Sequence, residues 1–196
     1  NYAPKVTGIE PFKNSKGLSS PWWKLIKDIN FSLLPSNVGV RLDLDRSFEK
    51  NIYRNSTSSS DLPNYLKYFL FNRQYNVRWN FTKNLSLDYS ALANAVVDEH
   101  DGDINTDSLR QIVWDNLKNF GRMKIFDQRI TANYKIPLDK IPLTDWINAD
   151  YRYGVGYNWK AGPINLPDSL DFGNIIQNSR DQNLSGRLDM VKLYNK

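Results

Sequence analysis

Alternation with a period of two runs through most of the chain, the pattern of strands that carry one apolar and one polar side. Val38, Val40, Leu42 and Leu44 share one side, and Gly39, Arg41, Asp43 and Asp45 the other. The pattern returns with Phe71, Tyr75, Val77, Trp79 and Phe81 against Asn72, Gln74, Asn76, Arg78, Asn80 and Thr82. After Lys83-Asn84 it resumes as Leu85, Leu87, Tyr89, Ala91 and Ala93 against Ser86, Asp88, Ser90 and Asn94, so these two runs predict a hairpin. A fourth run sets Phe126, Ile130, Ala132, Tyr134 and Ile136 against Asp127, Arg129, Thr131, Asn133 and Lys135. A fifth sets Ile147, Ala149, Tyr151, Tyr153, Val155, Tyr157 and Trp159 against Asn148, Asp150, Arg152, Gly154, Gly156 and Asn158. The sixth, between Ile176 and Tyr194, is weaker: Leu184, Leu188 and Met190 oppose Asn183, Ser185, Arg187 and Asp189. All nine prolines fall outside the six runs, as a ladder that uses every backbone N–H requires.

The connections alternate in length. Asn51 to Lys67 is long and polar and holds Ser56-Thr57-Ser58-Ser59-Ser60, whereas Lys83-Asn84 is minimal. Val97 to Arg122 is long, Pro137 to Thr144 shorter, and Lys160 to Asn174 long again. This predicts an all-β, antiparallel up-and-down meander of about six strands with its long loops on one side. Within the third connection, Leu109, Ile112, Val113, Leu117 and Phe120 fall at helical spacing. They predict a helix over 107–120, capped by Thr106 or Asp107 and ended by Gly121. Residues 1–35 form an irregular lead-in to the strands, loops and helix of 36–196. In that lead-in, Trp22, Trp23, Leu25 and Ile26 predict a short amphipathic element, and Ile29, Phe31 and Leu33 a further strand before Pro35.

Composition narrows the choice of surroundings. Among the 196 residues the longest uninterrupted apolar run is Tyr68 to Phe71. A transmembrane helix needs roughly 20 apolar residues, so none is expected, but the strands of a membrane barrel hide half their polarity inside and escape that test. No cysteine is present, which removes disulfides, thiol nucleophiles and Cys-based metal sites. The chain opens Asn1-Tyr2-Ala3-Pro4, without Met or a leader, and reads as a segment of something longer.

The polar sides carry both signs of charge at mid-strand: Arg41, Asp43, Arg78, Asp88, Asp127, Arg129, Asp150, Arg152, Arg187 and Asp189. Such a side suits a wet barrel lumen, and these residues are the lumen-facing candidates. The lipid-facing or girdle candidates are Val38, Val40, Leu42, Val77, Trp79, Phe81, Leu85, Leu87, Ile130, Tyr134, Ile147, Tyr157 and Trp159. Trp79 and Phe81 precede the short turn and Tyr157 and Trp159 a long loop, the places for two interfacial girdles, although Tyr89 and Tyr151 lie further inside. Six strands are too few to close a membrane barrel, whose smallest single-chain forms have about eight, so the reading is a sector of a larger one. A soluble β-sandwich gives the same alternation, and a β-rich glycan-binding module is its functional counterpart.

Catalytic signals are missing. The single histidine, His100, sits in Asp98-Glu99-His100-Asp101-Gly102-Asp103, whose spacing fits no EF-hand and which no closing glutamate follows; it reads as a solvated acidic loop rather than a calcium site. There is no phosphate-binding glycine loop, no G-x-S-x-G and no H-E-x-x-H. No enzyme, cofactor or metal is therefore expected. The net charge of +5 does not predict a nucleic-acid partner, because the cations alternate with Asp on the same strand sides and form no contiguous stripe.

Several phrases, in order, resemble a known family. They are Trp22-Trp23-Lys24, Phe31-Ser32-Leu33-Leu34-Pro35-Ser36, Asp43-Leu44-Asp45-Arg46 and Arg78-Trp79-Asn80-Phe81-Thr82. Leu85-Ser86-Leu87-Asp88-Tyr89, Asn133-Tyr134-Lys135-Ile136-Pro137-Leu138-Asp139-Lys140 and Pro142-Leu143-Thr144-Asp145-Trp146 follow, then Gly154-Val155-Gly156-Tyr157-Asn158-Trp159 and Val191-Lys192-Leu193-Tyr194-Asn195-Lys196. From about Pro11 to the end the chain resembles the SprA/Sov family, the outer-membrane translocon of the type IX secretion system in Bacteroidota. The resemblance implies a sector of a very large transmembrane β-barrel that exports folded proteins and is linked to gliding motility. The implied partners are cargo proteins with C-terminal secretion signals, a PorV-type shuttle protein, a periplasmic plug protein and the lipid bilayer. Another outer-membrane barrel, TonB-dependent or porin-like, is the alternative transport reading.

Overall fold

The computed structural model of the chain describes residues 2–4, 8–12, 24–52, 63–164 and 172–195. Six strands, β1 (Asn37–Asn51), β2 (Asn64–Asn80), β3 (Leu85–Val96), β4 (Arg122–Ile136), β5 (Ile147–Lys160) and β6 (Ile175–Leu188), pair antiparallel in chain order. The expected meander is thus the observed one, and the sheet is open, with β1 and β6 at its edges. Short helices α1 (Lys24–Lys27), α2 (Asp107–Lys118) and α3 (Met190–Tyr194) complete it, with a 3-10 turn at Leu138–Lys140.

The register joins the six apolar sides into one face. Val38 pairs with Val77, Val77 with Tyr89, Tyr89 with Ile130, and Ile130 with Val155. One row towards the short turns, Trp79, Leu87, Ala132 and Tyr153 align; two rows towards the long loops, Leu42, Arg73, Ala93, Phe126 and Trp159 do. Because side chains alternate strictly, every such row lies on the same side of the sheet. The register is kept across the sheet except between Asn94 and Ala95, where β4 carries a bulge.

Each strand touches its sheet neighbours, and the 3-10 turn touches β5. No second layer covers the apolar face of β1 among the described residues: Val40, Leu42 and Leu44 are all more than half exposed. Burial concentrates on β3, where Ala91, Ala93 and Ala95 sit among larger cross-strand neighbours and Val97 follows them.

Several element boundaries differ from expectation. β1 runs on past its alternating run to Asn51, and β2 starts at Asn64, inside what reads from the sequence as the polar connection 51–67; polar residues pair there as readily as apolar ones because a ladder is made by the backbone. The weak sixth run ends at Leu188. Beyond it Asp189 caps α3, its side chain accepting from the Lys192 N–H at 3.0 Å, so Asp189 and Met190 belong to no strand. The stretch Ile29–Leu33 forms no strand either: Phe31 makes an isolated bridge to Ile9, and Ser32 N–H donates to the Phe81 carbonyl. Of the expected amphipathic element, α1 is present, while Trp22 and Trp23 lie outside the described residues. The helix over 107–120 is present as α2, with Thr106 as its cap; Phe120 and Gly121 end it at φ 65° and 67°, and Gly121 donates to the Asn116 carbonyl.

Candidate functional site

The two faces of the sheet are the candidate site. On the polar face the register places Arg41, Asp43, Arg78, Asp88, Asp127, Arg129, Asp150, Arg152 and Arg187 together; Asp189 is the one lumen-facing candidate outside the sheet. Three ion pairs neutralise part of this face in place. Arg41 Nε lies 2.9 Å from Asp43 on its own strand, and Arg78 Nε 2.6 Å from Asp88 on the next. Asn133 and Asn158 donate to Asp88 and Asp127. The longest reach is that of Arg129 on β4, which crosses β5 to meet Asp181 on β6 at 2.6 Å. It can cross because β5 has Gly154 and Gly156 on that face: a Cβ at Gly154 would sit 2.4 Å from the Asp181 carboxylate.

On the opposite face, Val38, Val40, Leu42, Val77, Trp79, Leu85, Leu87, Ile130, Tyr134, Ile147, Tyr157 and Trp159 stand together, and Phe81, just past β2, stacks on Trp79 at 4.2 Å. No Asp or Glu of the six strands falls on this side. Cations do, and the alternation did not reveal how they are accommodated. Arg73 is 7% exposed. Its guanidinium lies 5.3 Å from the Phe71 ring centre and 4.9 Å from that of Phe120, with the Met123 sulfur 3.8 Å from its Nη2. Its Nε is buried without a partner. Arg73 interrupts the apolar side of a strong run, which is the sequence signal for it; the cover by Phe120, from a distant loop, has none.

The long-loop end of this face carries Arg46, Lys50 and Lys67, and the acidic segment 98–103 is laid over them. Arg46 Nε is 2.6 Å from Glu99, whose side chain is 4% exposed. Lys50 Nζ is 2.6 Å from Asp103, which also accepts from the Tyr65 hydroxyl, and Lys67 donates to the Gly102 carbonyl. On the far side Arg122 forks onto Asp98 at 2.6 and 2.8 Å. The Arg122 guanidinium holds the Asp98 carboxyl below its usual range, and the Lys50 ammonium does the same for Asp103. This segment is therefore an ion-paired strap and not the freely solvated loop that its composition suggests. Its Asp98, Glu99 and Asp103 carboxylates are engaged by cations, and His100 Nδ1 lies 2.5 Å from the Asp101 carbonyl oxygen. No group of three metal-ligating side chains occurs among the described residues, and no helix among them is long and apolar enough to cross a membrane.

β6 breaks the pattern. Its apolar-side positions 178, 180 and 182 are Asn178, Arg180 and Gln182, in register with Tyr157, Val155 and Tyr153. In comparisons with known proteins, no family model and no curated sequence matches the chain.

Proposed function

We propose that the chain is a sector of the wall of an outer-membrane protein-conducting channel of the type IX secretion kind. In this reading the apolar face meets lipid and the polar face lines a water-filled lumen. The observation that carries it is the pairing of two unlike faces in a single layer: a contiguous apolar face that nothing among the described residues covers across β1, and a mixed-charge face opposite. In water, such an apolar face calls for a second layer.

The shape of the apolar band adds support. Val38 opens it on β1 and lies in the row of Val155, yet on β5 the band already opens at Ile147. At the other end it closes at Leu44 on β1, in the row of Phe71, Ala95 and Met123, but one row lower at Trp159 on β5. Both ends slide in the same direction. A band level with a bilayer slides this way across strands tilted by about 35–45° to the barrel axis.

The mechanism needs no chemistry. Arg41–Asp43, Arg78–Asp88 and Arg129–Asp181 pair charges in place, and Asp127, Asp150, Arg152 and Arg187 beside them are of both signs, so a folded protein passes a hydrated wall without a strong electrostatic hold. Export of cargo with C-terminal secretion signals, a PorV-type shuttle protein, a periplasmic plug protein and a link to gliding motility come with the family resemblance. The test is a blot of outer membranes with an antibody against the 51–67 segment. The reading expects a membrane-fraction band many times heavier than 22.8 kDa. A soluble band near that mass overturns it in favour of a soluble β-rich binding module.

A further inference from the structure

Seven consecutive polar residues, Gln177 to Asn183, occupy the middle of β6. On the polar face this continues the wall, and Asp181 takes Arg129. On the apolar face it does not: Asn178, Arg180 and Gln182 are exposed where β5 presents Tyr157, Val155 and Tyr153. Arg180 lies 5.6 Å from the centre of the Tyr153 ring, and Gln182, with its amide turned, accepts from Arg180 Nε at 2.8 Å. No carboxylate pairs with Arg180 among the described residues, and none is within reach on its own face, because no Asp or Glu of the six strands lies there. Hydrocarbon is a poor neighbour for an open guanidinium flanked by two amides.

Elsewhere on this face the molecule meets the same difficulty by covering its cations with chain. The strap 98–103 brings Glu99 to Arg46 and Asp103 to Lys50, and Phe120 closes over Arg73. Arg180 has neither cover. β6 is also the last strand of the sheet, so the backbone groups of its outer edge face no strand among the described residues.

We propose that the outward side of β6 from Asn178 to Gln182 is an interaction surface for protein rather than lipid. Its occupant is an acidic polypeptide segment that sets a carboxylate against Arg180 and carbonyl acceptors against the two amides, as the strap does for Arg46 and Lys50. The proposal rests on the barrel reading, which places the neighbouring residues of β5 against lipid.

The test uses the full-length protein in native outer membranes, with single nitroxide labels through cysteine at 40, 155, 178 and 182, and collision with oxygen and with a water-soluble nickel chelate as the two readouts. Labels at 40 and 155 are expected to meet oxygen; if they meet the chelate instead, the barrel reading itself fails. With 40 and 155 in lipid, labels at 178 and 182 are expected to meet neither reagent. High oxygen collision there overturns the proposal in favour of lipid, and high chelate collision overturns it in favour of water. Arg180→Glu is then expected to raise chelate collision at 178 and 182 several-fold while Arg180→Lys leaves it low. Unchanged shielding in the Glu variant overturns the acidic occupant.

Discussion

Arg73 and Arg180 stand on the same face of the same sheet, each against an aromatic ring, and they differ in how far the chain closes over them. Arg73 is closed between Phe71 and Phe120, with Met123 beside it and little of its surface exposed. Arg180 rests on one ring, Tyr153, and is otherwise open. The difference tells which parts of the apolar sheet face are finished by the local chain and which are not. A cation on such a face is tolerated when aromatic or acidic chain shields it, and β6 lacks that shield.

The largest effect that would break the comparison comes from adding a cation where no cover exists. On the proposed barrel reading, Val77→Arg should destabilise the assembly by about 2–4 kcal/mol at mid-membrane, whereas Arg78→Leu on the other face should cost little. Denaturant midpoints of the full-length protein in bilayers report both, and equal losses would mean that the faces are assigned wrongly. Removing the cover from Arg73 comes next. Phe120→Ala should cost about 1–2 kcal/mol, while Arg73→Met, which leaves no carboxylate unpaired, should be close to neutral. In the double variant the Phe120→Ala loss should shrink, and the size of that coupling measures the ring–guanidinium contact.

Acid should open the strap. Asp98 and Asp103 have carboxyl groups held below their usual range by Arg122 and Lys50. Their contribution is complete above the unfolded-state pKa of about 4 and is lost as pH falls through the lower folded values. Amide protection over 98–103, taken relative to the intrinsic exchange rate at each pH, should therefore be flat from neutral pH to about pH 4 and fall below it. Protection that falls already between pH 7 and 6 would point away from these carboxylates. The smallest effect belongs to Gly154→Ala, which pushes on Asp181 and disturbs its pair with Arg129. An exposed ion pair is worth about 1 kcal/mol at most, so the sheet should stay intact.

Strand number and faces were legible in the sequence because one period fixes both, and order because the connections alternate long and short: Val38, Val77, Tyr89, Ile130 and Val155 each sit on the expected side and meet in one row. The ends were less legible. β1 and β2 extend through Glu49, Lys50 and Asn64, where backbone pairing is indifferent to side-chain polarity, and Asp189 left its strand to cap a helix. The strap was invisible for a different reason. Glu99 and Arg46 are 53 positions apart, and no local pattern announces that an acidic loop will fold back onto a basic strand end. β6 is legible as the weakest run: Leu184 and Leu188 mark an apolar side that Asn178, Arg180 and Gln182 do not continue.

The most direct test of the central claim sets two adjacent residues against each other. Val40 and Arg41 are neighbours in β1 on opposite faces. Nitroxide labels at Val40→Cys and Arg41→Cys, in the full-length protein in outer-membrane vesicles, should report opposite environments: frequent oxygen collision at 40, frequent collision with a water-soluble chelate at 41. If both labels meet the chelate alike, the apolar face is not in lipid and the sheet is not a membrane wall.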